Sequence, residues 1–191
     1  MINRFRKYLE ILDVKLRDYF ELQSPFIKCK KGCAYCCKDG EYPMSELEYA
    51  NMMIYYDTLA PELKGQINQN IVALLNTNKH KFYECPFLVN NSCSIYPARP
   101  IICRAFGLIF KSENGKKNIP FCIDLGLNYA NALNSDTKQL TNNAPDGTKP
   151  ECFDVDRKCL RSREIEELFD IYFGEDKAMA DWLKEDETYI K

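Results

Sequence analysis

Ten cysteines in 191 residues, seven of them in two short blocks, constrain this chain more than any other feature. Cys29, Cys33, Cys36 and Cys37 fall within nine residues, and Cys85, Cys93 and Cys103 within nineteen. Cys122, Cys152 and Cys159 are spread along the remainder, and residues 38–84 contain none. The density is below that of a disulfide scaffold. Arg4, Arg6 and Lys7 lie where a secretory signal would need an apolar run, so the expected compartment is the reducing cytoplasm. Clustered cysteine in that setting does metal or redox work rather than stapling.

The spacings fit soft-metal ligation. Thiolates suit zinc, Cu(I) and iron–sulfur clusters. Cys33-Ala34-Tyr35-Cys36 can bring two sulfurs to one metal through a tight turn, and Gly32 before it supplies the backbone freedom such a turn needs. Cys29 adds a third sulfur. Adjacent Cys36 and Cys37 are expected to point apart and to serve two metals or two faces of one cluster. The remaining ligands are expected from Cys85, Cys93 and Cys103, then Cys122, while Cys152 and Cys159 read as accessory or free. Buried free thiols would follow an apolar period, yet Cys29 and Cys33 sit among Lys28, Lys30, Lys31 and Gly32. Arg99 and Arg104 bracket Cys103 and are expected to neutralise the site's negative charge or to hold an anionic cofactor or substrate beside it. His80 is the one histidine, which excludes zinc patterns with paired histidines. It lies on the polar stretch Asn78-Lys79-His80-Lys81 and reads as a solvated side chain rather than a hydrolase base.

Composition fits one folded domain over residues 1–191. Hydrophobic residues make up 46% and charged residues 28%. Lys+Arg is 26 against Asp+Glu 28, a net charge of −2, so no global field favours nucleic acid or an anionic membrane. No apolar run approaches the ~20 residues of a membrane span. The pattern predicts a mostly α fold with small β-hairpins, an irregular α+β arrangement around a cysteine-ligated metal site. Phe5, Tyr8, Leu9, Leu12, Leu16, Tyr19 and Phe20 trace one face of a first helix. Its other face carries Arg4, Arg6, Lys7, Lys15 and Arg17, a solvated face or a docking stripe. Ser45-Glu46-Leu47-Glu48 is a capping box for a second helix to about Tyr56, and Pro61 starts a third. A hairpin is expected around Asn90-Asn91-Ser92, its turn resembling that of a ligand-bearing hairpin, followed by one helical turn with Cys103. A second hairpin is expected around Glu113-Asn114-Gly115, with Pro120 keeping one strand at an edge. Residues 134–150 read as a loop. Over 160–191, Ser162 is expected to cap a helix that buries Ile165, Leu168, Phe169 and Tyr172 and ends at Gly174, before a last helix around Met179, Trp182 and Leu183.

Two blocks resemble the YkgJ-type cysteine-cluster family, described as a zinc- or iron-chelating domain. The first is Cys29-x3-Cys33-x2-Cys36-Cys37. The second comprises Cys85-Pro86-Phe87-Leu88, Cys93-Ser94-Ile95-Tyr96, Arg99-Pro100 and Cys103-Arg104-Ala105-Phe106, and Cys122 stands where members often carry a further cysteine. The resemblance covers about residues 29–122, the expected metal-binding core. It implies a metal-binding module and assigns no reaction. Similar clusters occur in flagellin lysine-N-methylases, where an iron–sulfur cluster is associated with methyl transfer from S-adenosylmethionine. This chain shows no separate methyl-donor motif. Cys29-x3-Cys33-x2-Cys36 also matches radical S-adenosylmethionine spacing, without the alternating strands and helices that chemistry requires.

The odd, vicinal cysteine arrangement leads to an iron–sulfur centre as the expected cofactor, with zinc as the alternative. The first predicts electron transfer or cluster-assisted modification. The second predicts a closed structural module that binds another protein. The partner, protein or small molecule, is not legible. Residues 1–31 carry eight basic and four acidic side chains and residues 160–191 five and ten, so the two ends are able to pair.

Overall fold

The computed structural model describes residues 1–30, 32–40, 42–77, 81–111, 115–134, 136–137 and 139–186. It is an α+β mix of helices and two-stranded antiparallel pairs. Helix α1 (Ile2–Leu22) buries Phe5, Tyr8, Leu9, Leu12 and Leu16, most of the face that the periodicity marks. These pack with Ile101, Ala105, Phe153, Val155, Ile171 and Phe173 into one core cluster. A single turn, α2 (Tyr35–Lys38), carries Cys36 and Cys37. Strand β1 (Pro43–Ser45) runs into α3 (Glu46–Asp57), and α4 (Pro61–Asn76) follows with Pro61 in its first turn. Met52 and Tyr56 of α3 and Ile67, Ile71 and Leu74 of α4 share a second core with Phe87 and Ile95.

The first hairpin is β2 (Leu88–Val89) and β3 (Ser92–Cys93), pairing Leu88 with Cys93 and Val89 with Ser92. Asn90 and Asn91 both take positive φ, 52° and 56°. That two-residue turn matches the twist of the flanking strands, and asparagine tolerates it. Ser92, expected in the turn, lies in the strand. Helix α5 (Ile101–Ala105) then presents Cys103. The second hairpin joins β4 (Phe110–Lys111) to β5 (Lys117–Asn118); Glu113 and Asn114 of its turn lie outside the described residues. Between 134 and 150 the described residues form turns without helix or strand, and Ser135 and Lys138 lie outside them. A third core of Phe26, Ile109, Ile123, Tyr129, Ala132 and Ala144 underlies this region.

The C-terminal part departs from expectation. After α6 (Arg157–Leu160), helix α7 (Arg163–Phe169) has no fully buried residue. Leu168 is 74% exposed and Tyr172 67%, while Ile171 and Phe173 are buried instead. The helix stops at Asp170 in a left-handed conformation (φ 49°), so a helical period no longer sets which residues face inward beyond it. Ser162 precedes α7 but makes no cap bond with its side chain. It bonds the Glu164 carboxylate instead. Gly174 does not end the helix. It passes under α3, where a Cβ would run into the Glu46 side chain. Strand β6 (Asp176–Ala178) pairs antiparallel with β1, and α8 (Met179–Glu185) closes the described chain on Met179 and Leu183. Among the described residues no helix is long and apolar enough to cross a membrane.

Glu48 organises the centre of this arrangement. Both capping-box bonds form: Ser45 Oγ accepts from the Glu48 backbone N–H, and Ser45 N–H donates to Glu48 Oε2 at 2.9 Å. The carboxylate is 2% exposed and also accepts from the Ile101 N–H, 2.7 Å, at the start of α5. Arg161 donates to it at 3.0 Å and reaches Asp176 of β6 as well. One buried carboxylate thus caps two helices and anchors a third segment. At the surface Arg4 pairs with Asp170, which joins the basic and acidic ends of the chain. Arg6 donates to Asn51.

Glu48→Ala is expected to lower unfolding stability by about 3–5 kcal/mol, because it strands Arg161 and uncaps α3 and α5. Urea denaturation reads this, with exposed Leu168→Ala as the control, expected within about 0.5 kcal/mol of the parent.

Candidate metal centre

Short backbone links bring the cysteine blocks together. Cys37 C=O accepts from the Cys85 N–H at 2.7 Å, and Gly40 pairs with Tyr83 in an isolated antiparallel bridge. Tyr42 Oη donates toward the Cys36 carbonyl, 3.1 Å, and Gly40 is required there because a Cβ would lie 2.8 Å from that oxygen. The α2 turn is therefore strapped to the segment leading into Cys85. Glu48 seats α5, and with it Cys103.

Pairwise interactions link Cys29, Cys33, Cys36, Cys37, Cys85, Cys93, Cys103 and Cys122. Cys93 and Cys103 push up the Cys85 thiol and Cys93 that of Cys103, while Cys33 acts on Cys29, and Cys29 and Cys33 act on Cys122. Cys36 acts on Cys29, Cys85, Cys93, Cys103 and Cys122, members of both sets. Its sulfur lies 3.9 Å from that of Cys37. The vicinal pair therefore does not splay as expected: on one helical turn both side chains lean to the same side. Cys152 feels Lys117, Asp154 and Lys111 instead, and Cys159 is exposed on α6. His80 lies outside the described residues.

Burial raises the thiol pKa values of Cys29, Cys85, Cys93, Cys103 and Cys122. For Cys36 the hydrogen bond with Cys37 is the larger cause, ahead of burial. Without a cation these groups are thiols at neutral pH, because burial disfavours the charged form and neighbouring thiolates add to that. The fold opposes that rise at defined places. The Phe87 and Ile95 N–H groups favour the thiolates of Cys85 and Cys93, each from two residues further along the chain. Asn128 does the same for Cys122 by its backbone and for Cys29 by its side chain. N–H donors of this kind compensate a thiolate centre.

The two arginines part company. The Arg99 charge favours the thiolates of Cys93 and Cys103, while its guanidinium lies 3.8 Å from the Tyr96 ring centroid. Arg104 is 4% exposed and fully engaged elsewhere: it pairs with Asp13 of α1 and donates to the Pro97 and Arg99 carbonyls. It fastens the loop before α5 to α1. Asn128 escaped sequence reasoning, since a single polar residue after a helical turn carries no motif.

Among the described residues, no three His, Cys, Asp or Glu side chains stand where one ion could be held. The donor set nevertheless suits a soft metal, being eight thiols with N–H groups aimed at four of them.

The chain belongs to the CxxCxxCC family, whose model is described as "Putative zinc- or iron-chelating domain" and matches residues 28–123. Gly32, just before Cys33, takes a positive φ of 86°. No curated protein and no solved structure matches the chain.

Thiol reactivity checks this geometry. In reduced, metal-free protein, iodoacetamide is expected to label exposed Cys29 and Cys159 first and buried Cys85 last, read by a mass-spectrometric time course.

Proposed function

We propose that Cys29, Cys33, Cys36, Cys37, Cys85, Cys93, Cys103 and Cys122 hold an iron–sulfur centre, and that the chain works in electron transfer or in cluster-assisted modification of a protein or small molecule. The observation that carries this reading is the spacing of the thiols. They are near enough to shift one another's ionisation, and the eight named are twice the four that one tetrahedral ion takes. A centre with several irons suits dispersed sulfurs better than one tetrahedral ion does. When bound, such a centre supplies a one-electron couple, or an open iron for a ligand such as S-adenosylmethionine. The chain's own contribution is to gather the sulfurs and to offset their charge through Arg99 and the N–H groups of Phe87, Ile95 and Asn128. A cytoplasmic setting, which keeps thiols reduced, suits this role.

One observation favours zinc in a structural interaction module. Four thiolates about Zn²⁺ at ~2.3 Å have sulfur–sulfur edges of about 3.8 Å, and Cys36 and Cys37 are 3.9 Å apart. The readings separate on colour and on folding. An iron–sulfur centre absorbs visible light, whereas closed zinc is colourless and its removal unfolds the domain.

Cys36→Ser is expected to abolish the visible absorption and most bound metal, because Cys36 acts on members of both sets of sulfurs. Cys159→Ser is expected to leave both unchanged. Equal metal content in the two variants, measured after anaerobic purification, would remove Cys36 from the centre.

A further inference from the structure

Asn128 lies five residues beyond the stretch that the family model matches. It is 0% exposed and placed against two cysteines that are far apart in sequence. Its Oδ1 accepts from the Lys28 N–H at 2.7 Å. That bond fixes which way the amide faces; the Cys29 thiol is able to donate to Oδ1 as well, at 3.6 Å, but the nitrogen is the nearer atom and the one able to donate to a thiolate. Nδ2 stands 3.2 Å from Cys29 Sγ and 3.1 Å from the Gly107 carbonyl. The Asn128 backbone N–H serves Cys122. Gly107 makes room for this contact: a Cβ there would lie 2.8 Å from Asn128 Nδ2, and its φ of +108° is one that side chains resist.

Cys29 is the most open ligand candidate, exposed where Cys85 and Cys122 are buried. It follows α1 and a short 3-10 turn (Ser24–Phe26). Its position therefore depends on what holds the Lys28–Cys29 backbone. Asn128 holds that backbone through Lys28 and meets the sulfur itself with an N–H.

We infer that Asn128 is a positioning residue of the metal centre, holding Cys29 and Cys122 in register and donating an N–H to the metal-bound sulfur of Cys29. The inference rests on the reading of Cys29 as a ligand. No covalent step is involved. The N–H withdraws charge from the sulfur, which lets an anionic centre persist beside solvent.

Asn128→Asp separates this role from a purely structural one. The aspartate keeps the oxygen that accepts from Lys28 and replaces the donor to Cys29 with an anion. Competition against a chelator, with cobalt(II) as the probe metal and its sulfur-to-metal absorption as the signal, is expected to show roughly 10–100-fold weaker binding. Circular dichroism and thermal unfolding of the metal-free variants serve as fold controls. Cys29→Ser is measured beside it. Unchanged cobalt binding in Cys29→Ser would defeat the ligand reading. Weakened binding in Cys29→Ser with parental affinity and spectrum in Asn128→Asp would overturn the inference about Asn128 alone. The unmodified protein loaded with an NMR-active cadmium isotope gives a readout independent of any variant. Coupling between cadmium and an Asn128 Hδ2 proton is expected across the N–H···S bond, and absence of that coupling while the Cys29 β-protons couple to cadmium would contradict it.

Discussion

A buried carboxylate persists only when donors surround it, and the donors around Glu48 tie three segments of the chain together. Its two oxygens accept from Ser45, Ile101 and Arg161, so α3, α5 and the segment after α6 meet at one point. Desolvating an anion costs several kcal/mol, and each partner offsets part of that. The consequence for the site is direct. Helix α5 is one turn and a half long, too short to be stable alone. The Glu48 bond to its first N–H and the Arg104 bonds to the loop before it keep Cys103 in place.

The cysteine group faces the same electrostatic problem with the opposite resolution. Several thiols gathered in partly buried surroundings resist ionisation, as the raised values of Cys36, Cys85 and Cys103 show. A metal changes the balance by taking the place of the protons. Arg99 and the N–H groups of Phe87, Ile95 and Asn128 lean the same way without supplying enough charge alone. Family membership over residues 28–123 is consistent with this chemistry.

Much of this was legible in the sequence where local chemistry dictates local structure. The capping box at Ser45, the asparagine turn at 90–91 and the apolar face of α1 each need only neighbours within one or two turns. The seven cysteines of the two blocks stood out because spacing is itself local, whereas Cys122, outside both blocks, drew its support from the resemblance to a family. What escaped notice depends on distant partners. Strands β1 and β6 are three residues each and lie some 130 positions apart in the chain, so neither shows a period. Glu48 announced one cap and makes two. Leu168 and Tyr172 fit a helical face that the left-handed Asp170 interrupts. The leaning together of Cys36 and Cys37 is a matter of rotamers, which adjacency does not set.

The central claim is that the clustered cysteines are metal ligands. The most direct test is the iron, zinc and acid-labile sulfide content of protein purified without oxygen, followed by titration of its free thiols in the folded state. The account predicts bound metal, with iron and sulfide in equal amounts, and reactive thiols confined to the two cysteines outside the group, Cys152 and Cys159. Metal-free folded protein with all ten thiols reactive would contradict it.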